Sequence, residues 1–243
     1  MESILLFILV TLGSLVSSLT GLAGGTLILA GLLLFFSPAL ALPLHSFTQL
    51  SSNALRSGLF FKHVDWKTVF FYFLLMIPST WLGAMIFHLI NPSWLKILVG
   101  LLILISLLPW KFKTLKAPNS WIFFWLGGLS GFLSVFVGAV GPLVTPFFNR
   151  LNLSRQGMLS TKSAGQALLQ LSKIFAFWGA AEVNFDLLQE NIILLVVATL
   201  LGVILSIPLS KKLSDQKFNL VVNSLLVIIS LKVLTEGFIE IFK

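Results

Sequence analysis

Four apolar runs, residues 70–89, 95–108, 187–209 and 218–236, decide what this chain can become. They approach or reach the roughly 20 residues that carry an α-helix across a bilayer. No barrel-like alternation of apolar and polar residues is present, so helix is the only spanning structure that can satisfy the backbone in lipid. Composition agrees: of 243 residues, 57% are hydrophobic and 10% charged, a balance no soluble domain of this size could place on its surface. The expectation is an all-α, polytopic membrane protein. Residues 1–13 lack a cationic leader and read as a retained first membrane helix.

Inside this apolar background, residues 45–56 read HSFTQLSSNALR. His45, Gln49, Asn53 and Arg56 follow in steps of four, four and three, which stacks them on one helical face. A second copy begins at Lys162, KSAGQALLQLSK, with Lys162, Gln166, Gln170 and Lys173. Each member lies 117 residues after its mate: 45 and 162, 49 and 166, 53 and 170, 56 and 173. Both copies end on a cation in a segment expected to lie in lipid, where an ionisable side chain is expensive and points to function.

The duplication extends to the flanks. Residues 4–36 are apolar around a glycine cluster at Gly21, Gly24 and Gly25, and residues 121–148 repeat the pattern around Gly138, Gly141 and Pro142. Clustered glycine is where a helix can break and backbone can approach a ligand. Pro38 and Pro43 are expected to close the first segment ahead of the His45 helix. Further on, Val64-Asp65-Trp66 matches Val183-Asn184-Phe185, and Gly83 matches Gly202, both at an offset of 119. The strongest linker, residues 111–116 (KFKTLK), falls near the middle. Residues 1–116 and 117–243 are therefore expected to be two repeats of one integrated membrane domain.

Loop charges set their relative orientation. If each Gly-broken segment crossed once, the loop cations would divide six against seven. If each goes in and returns, Lys62, Lys67, Lys111, Lys113, Lys116, Arg150, Arg155, Lys162, Lys211, Lys212 and Lys217 share one face, leaving Lys96 and Lys243 on the other. Only the second arrangement has a positive-inside bias. It implies two inverted repeats of about five helical segments each, a Gly-broken hairpin plus three spans, an architecture found in many secondary transporters. Both termini, with Glu182, Asp186, Glu190, Glu236 and Glu240, then lie outside, and the basic loops face the cytoplasm.

The polar inventory narrows the chemistry. Asp65, Glu182, Asp186 and Asp215 fall in loops, Glu190 near a helix start, and Glu2, Glu236 and Glu240 near the termini. Cation carriers and proton pumps rely on intramembrane carboxylates; here the charges at depth are Arg56 and Lys173, whose simplest partner is an anionic substrate. Gln49, Asn53, Gln166 and Gln170 would line its path, and backbone N–H groups at Gly24, Gly25 and Gly141 would add donors. His45 and Lys162 are candidates for a proton relay or gate. Blander roles exist for each: Arg56 could snorkel to the interface, as could Lys232, the amides could simply join helices, and His45 and His88 could be interfacial. Gly127, Gly128 and Gly131 read as helix packing, and Trp66, Trp94, Trp110 and Trp121 as interface anchors.

The absence of cysteine removes disulfides, thiolate metal sites and thiol nucleophiles. A formal charge of +8 carried in short loops reads as membrane topology rather than nucleic-acid binding. No His/Glu metal pair, aspartate pair or serine elbow points to an enzyme, and no cofactor is implied.

The GLAGGT opening, the Asn-x-x-Arg helix leading into VDW, and the second copy beginning GAVGPLVTPF resemble the sulfite exporter TauE/SafE family of membrane permeases across essentially the whole chain. That resemblance implies a cell inner membrane permease for small anions, sulfite and organosulfonates being the usual assignments, coupled to the proton gradient. The chain departs from the family pattern at Ala23, where a further glycine is usual, at the delayed Pro38, and at Asn184, which replaces the acid of VDW. An uncoupled anion channel and an assembly partner without transport remain the alternatives. The sequence leaves the anion, the direction of transport and the oligomeric state open.

Overall fold

The computed structural model of the chain describes residues 2–20, 24–107, 118–209 and 215–242. Among them are ten α-helices and no strand. The first half holds α1 (Glu2–Thr20), α2 (Gly24–Leu32), α3 (Pro38–Leu59), α4 (Trp66–Phe87) and α5 (Pro92–Ser106); the second holds α6 (Ser120–Val137), α7 (Gly141–Phe148), α8 (Arg155–Gly179), α9 (Gln189–Leu209) and α10 (Asp215–Ile241). Gly21, the linker 111–116, Trp110, Lys211, Lys212 and Lys243 lie outside the described residues.

Local chemistry accounts for the helix starts. Asp65, Asn91, Asn119 and Ser154 cap α4, α5, α6 and α8 with side-chain oxygens that accept first-turn N–H groups. Proline near the start of α3, α5 and α7 occupies positions where a missing N–H costs nothing. One boundary differs from the sequence reading. Pro38 starts α3, but Pro43 lies within it, because a proline in the second turn forfeits one backbone bond while the buried residues around it hold the helix.

Each Gly-broken segment goes in and returns. In the first, Gly13 packs on Ile28 and Gly31 on Leu9, so α1 and α2 run antiparallel. In the second, the ring of Phe123 near the start of α6 lies 5.0 Å from Phe148 at the end of α7. Gly138, with φ +72°, makes the second turn, a conformation glycine adopts without a Cβ penalty.

The main packings interchange between the halves. α4 packs on α6 and α9 on α1; α4 packs on α8 and α9 on α3. A Cβ on Gly83 would meet the Phe132 carbonyl, and one on its mate Gly202 would meet Thr11 and Leu15, Leu15 standing 117 residues before Phe132. α5 and α10 run antiparallel, with Gly237 on Ser93 and Gly100 on Ser230 and Leu234. Gly127 and Gly131 press against the Tyr72 and Met76 carbonyls of α4, which is the close packing their spacing implied.

Trp66–Phe87, Ser120–Val137 and Gln189–Ser206 are each long and apolar enough to cross a membrane, and Ser3–Ser18 and Pro92–Ser106 are shorter apolar helices. Phe70, Leu74, Trp81 and Met85 on α4 are exposed, as a lipid-facing surface requires. The polarity runs the other way inside: α3 and α8, the helices with the polar stripes, form the centre. Lys62, Lys67, Arg150 and Arg155 gather at one end of the bundle, where the Asp65 N–H donates to Thr161 Oγ1 at 2.9 Å. At the other end Lys96 pairs with Glu236 and Glu240. Lys232 pairs with Glu236 at 3.6 Å.

Candidate functional site

The two stripes face each other. His45, in the first half of α3, lies within electrostatic reach of Lys173, in the second half of α8. Arg56, near the end of α3, shares a cavity wall with Lys162, near the start of α8. The helices therefore cross antiparallel, and each cation of one copy stands beside a basic residue of the other.

Between them is a cavity of about 40 Å³ lined by Ser17, Gly25, Thr26, His45, Gln49, Asn53, Arg56, Ala139, Gly141, Pro142, Lys162, Gln166 and Gln170. That is room for a few water molecules or one compact ion. Seven of the eight stripe residues reach its wall. Lys173 is the exception: fully buried behind the wall, its Nζ donates to Gln170 Oε1 at 3.2 Å and to the Gly138 carbonyl at 3.4 Å, and lies 5.9 Å from the centre of the Phe177 ring. The Arg56 guanidinium lines the cavity and donates to Ser18 Oγ at 3.3 Å.

Both hairpin turns bring helix starts to this cavity. Gly25 and Thr26 lie in the first turn of α2, and Gly141 and Pro142 open α7. First-turn N–H groups lack intrahelical acceptors and carry the positive end of the helix dipole. Gly24 opens α2. A Cβ on Gly25 would come within 3.0 Å of Gln49 Oε1, whereas one on Gly141 would meet open space.

The polar atoms are unevenly satisfied. Asn53 Nδ2 donates to the Gln49 carbonyl at 2.9 Å, and Gln166 Nε2 donates to the Tyr72 hydroxyl at 3.2 Å. Among the described residues, Gln49 Nε2 and His45 Nδ1 are buried with no hydrogen-bond partner. Buried orphans are uncommon and call for an explanation; here one is a donor on a residue of the cavity wall. Among the described residues, no carboxylate lines the cavity. With Arg56 and Lys162 on the wall and Lys173 behind it, the arrangement is suited to hold a small anion.

Sequence reasoning missed Ser17, Thr26, Ala139 and Pro142 on the wall, Ser18 as the partner of Arg56, and Tyr72. Tyr72, the single tyrosine of the chain, is fully buried on α4 and hydrogen-bonded to both Gln166 and Ser130; its isolation in an apolar run was a usable signal. The motif residue Asp65 caps α4 and also accepts from the Thr68 hydroxyl at 2.7 Å. Asn184, its mate, accepts from the Asp186 N–H at 3.0 Å, so the amide keeps the capping oxygen although it loses the charge.

The model of the family described as sulfite exporter TauE/SafE matches residues 6–233 of this chain. The chain belongs to that family. No curated protein and no solved structure matches it. This TauE/SafE protein is thus a multi-pass membrane protein of a transporter family, and its fold holds a cationic cavity at the crossing of its two polar helices.

Proposed function

We propose that this TauE/SafE protein is a secondary transporter that moves a small oxyanion, sulfite or an organosulfonate, across the cell inner membrane, driven by the proton gradient. The observation that carries the reading is the wall shared by Arg56 and Lys162, which among the described residues is otherwise lined by neutral side chains. Two like charges held together in a poorly solvated site are costly, and an anion between them turns repulsion into attraction. Gln49, Gln166 and Gln170 supply hydrogen bonds, Asn53 packs the wall, and the starts of α2 and α7 at Gly25 and Gly141 supply N–H donors. Gly24 lets the first turn close. Lys173, withdrawn in this state, is the second countercharge, reached when the other hairpin opens. The cavity's 40 Å³ favours the smaller candidates among these anions.

Residues 1–116 and 117–243 act as two inverted copies. The antiparallel crossings of α3 with α8 and α5 with α10, and the interchange of the remaining packings, support this. The gathering of Lys62, Lys67, Arg150 and Arg155 at one end supports a cytoplasmic position for that end. Because the chain has no cysteine, single replacements Lys62→Cys and Asp186→Cys in otherwise native protein report on topology. An impermeant maleimide should label Asp186→Cys from outside intact cells and Lys62→Cys only after permeabilisation; labelling of both from one side would refute the arrangement.

Transport itself is tested in proteoliposomes with labelled sulfite. Wild-type protein should accumulate the anion under an imposed pH gradient, while dissipative flux without accumulation would mark a channel. Gly141→Leu should lower flux by about tenfold or more, because its side chain would enter the open space at the cavity and displace the anion's hydrogen-bonded position, worth roughly 1.5–3 kcal/mol. Unchanged flux in that variant would place the route elsewhere.

A further inference from the structure

The two copies of the stripe carry different chemistry where they meet. Arg56 stands beside Lys162, and in the matching pair Lys173 stands near His45. One pair contains a guanidinium, which remains charged in proteins. The other contains an imidazole, the side chain whose charge ordinarily changes nearest neutral pH. The duplication has thus left one pair with a permanent charge and the other with a group that can exchange a proton.

The surroundings of His45 are specific. It is fully buried and lines the cavity. Its Nε2 donates to the Gly25 carbonyl at 2.9 Å, since a carbonyl can only accept, and this sets the neutral tautomer with its lone pair on Nδ1. Nδ1 has no partner among the described residues. Lys173 on α8 is the charged group that faces it; α2 offers the Gly25 carbonyl, and Gln49 is one turn along α3 itself. Among the described residues, no carboxylate lines the cavity. A proton on Nδ1 would add a positive charge near Lys173, and the two would repel. An anion in the cavity screens that repulsion, so anion and proton each strengthen the binding of the other.

We propose that His45 is the proton-coupling residue: Nδ1 takes a proton from hydronium, leaving water, when an anion occupies the cavity and returns it to water, forming hydronium, when the anion leaves, so one proton travels with each anion. The imidazolium formed donates from both nitrogens, and no other bond is made or broken. This rests on the transport reading above.

The test compares wild-type protein with His45→Gln, whose amide can still donate to the Gly25 carbonyl but cannot titrate. Two rates are measured in proteoliposomes with labelled sulfite: exchange at equal pH, and accumulation under a pH gradient. The ratio of accumulation to exchange should fall by about tenfold or more in the variant, the scale of a typical coupling between two ligands. An unchanged ratio would overturn the proposal. Absence of exchange in wild-type protein would overturn the transport reading itself, and the proposal with it. A second measurement does not depend on the variant folding. The chain has three histidines, and His63 and His88 are exposed, so they serve as references in nitrogen NMR of histidine-labelled wild-type protein. Adding sulfite should move the His45 Nδ1 resonance from the unprotonated to the protonated position; a resonance that stays unprotonated at saturating sulfite would also overturn it.

Discussion

Replacing Arg56 by glutamine is expected to reduce sulfite flux by at least about 100-fold, because removing one partner of a buried ionic contact costs roughly 3–5 kcal/mol. The guanidinium is the permanent charge on the cavity wall, and glutamine is too short and too weak a donor to replace it. The same substitution should leave thermal stability unchanged or slightly raised in the anion-free protein, since Arg56 and Lys162 repel each other there and, among the described residues, one hydrogen bond, to Ser18, is lost. Function and stability therefore move in opposite directions. Arg56→Lys should recover part of the flux, limited by the loss of the planar fork that engages an oxyanion at two points. The measurements are initial uptake in proteoliposomes and melting temperature with and without sulfite. Retained flux in Arg56→Gln would remove this residue from the site, and a collapse in stability would make its role structural.

The second large effect concerns assembly. Gly127→Leu is expected to prevent α4 and α6 from docking, because even a Cβ at Gly127 would collide with the Tyr72 carbonyl oxygen. That oxygen is backbone within a continuous helix and cannot rotate away. Overpacking in a close-packed interior typically costs about 1–3 kcal/mol, and occasionally more; contact with a fixed carbonyl belongs at the upper end. Tyr72 would be displaced, its bond to Gln166 would be lost, and the wall carrying Gln166 would lose its support. Gly202→Leu should act alike on the mate pair, where a Cβ would collide with the Thr11 carbonyl oxygen. Monodisperse elution and melting temperature in detergent provide the readout. A Gly127→Leu protein that elutes and melts like wild type would show that the two helices are not held this closely.

Much of the architecture was legible because lipid allows so few solutions. Apolar runs near 20 residues can only be helices there, and the charge count across loops distinguished in-and-out hairpins from single crossings. The observed segments 66–87, 92–106, 189–209 and 215–241 lie over the apolar runs to within a few residues. The doubled stripe was visible because helical periodicity stacks residues four and three apart, and the structure gathers seven of its eight members around one cavity.

What was illegible involves contacts across large separations. The sequence ranked Lys173 with Arg56 as countercharges and gave Lys162 a secondary role, yet Lys162 is on the wall and Lys173 behind it, held by Gln170 and Gly138. Nothing in local spacing could reveal this, since a long flexible cation reaches several positions and its neighbours choose among them. Ser18, Ser17 and Thr26 enter the site because the first hairpin turns beside α3, and Tyr72 because α4 lies against α6 and α8. The sequence by itself determined that the chain is helical and membrane-embedded and that it carries its polar, cation-ended stripe twice, because periodicity, length and residue spacing are properties of the chain alone. Only the tertiary structure decided which cations meet, which amides are left without partners and where the cavity lies, because those depend on how helices far apart in sequence cross.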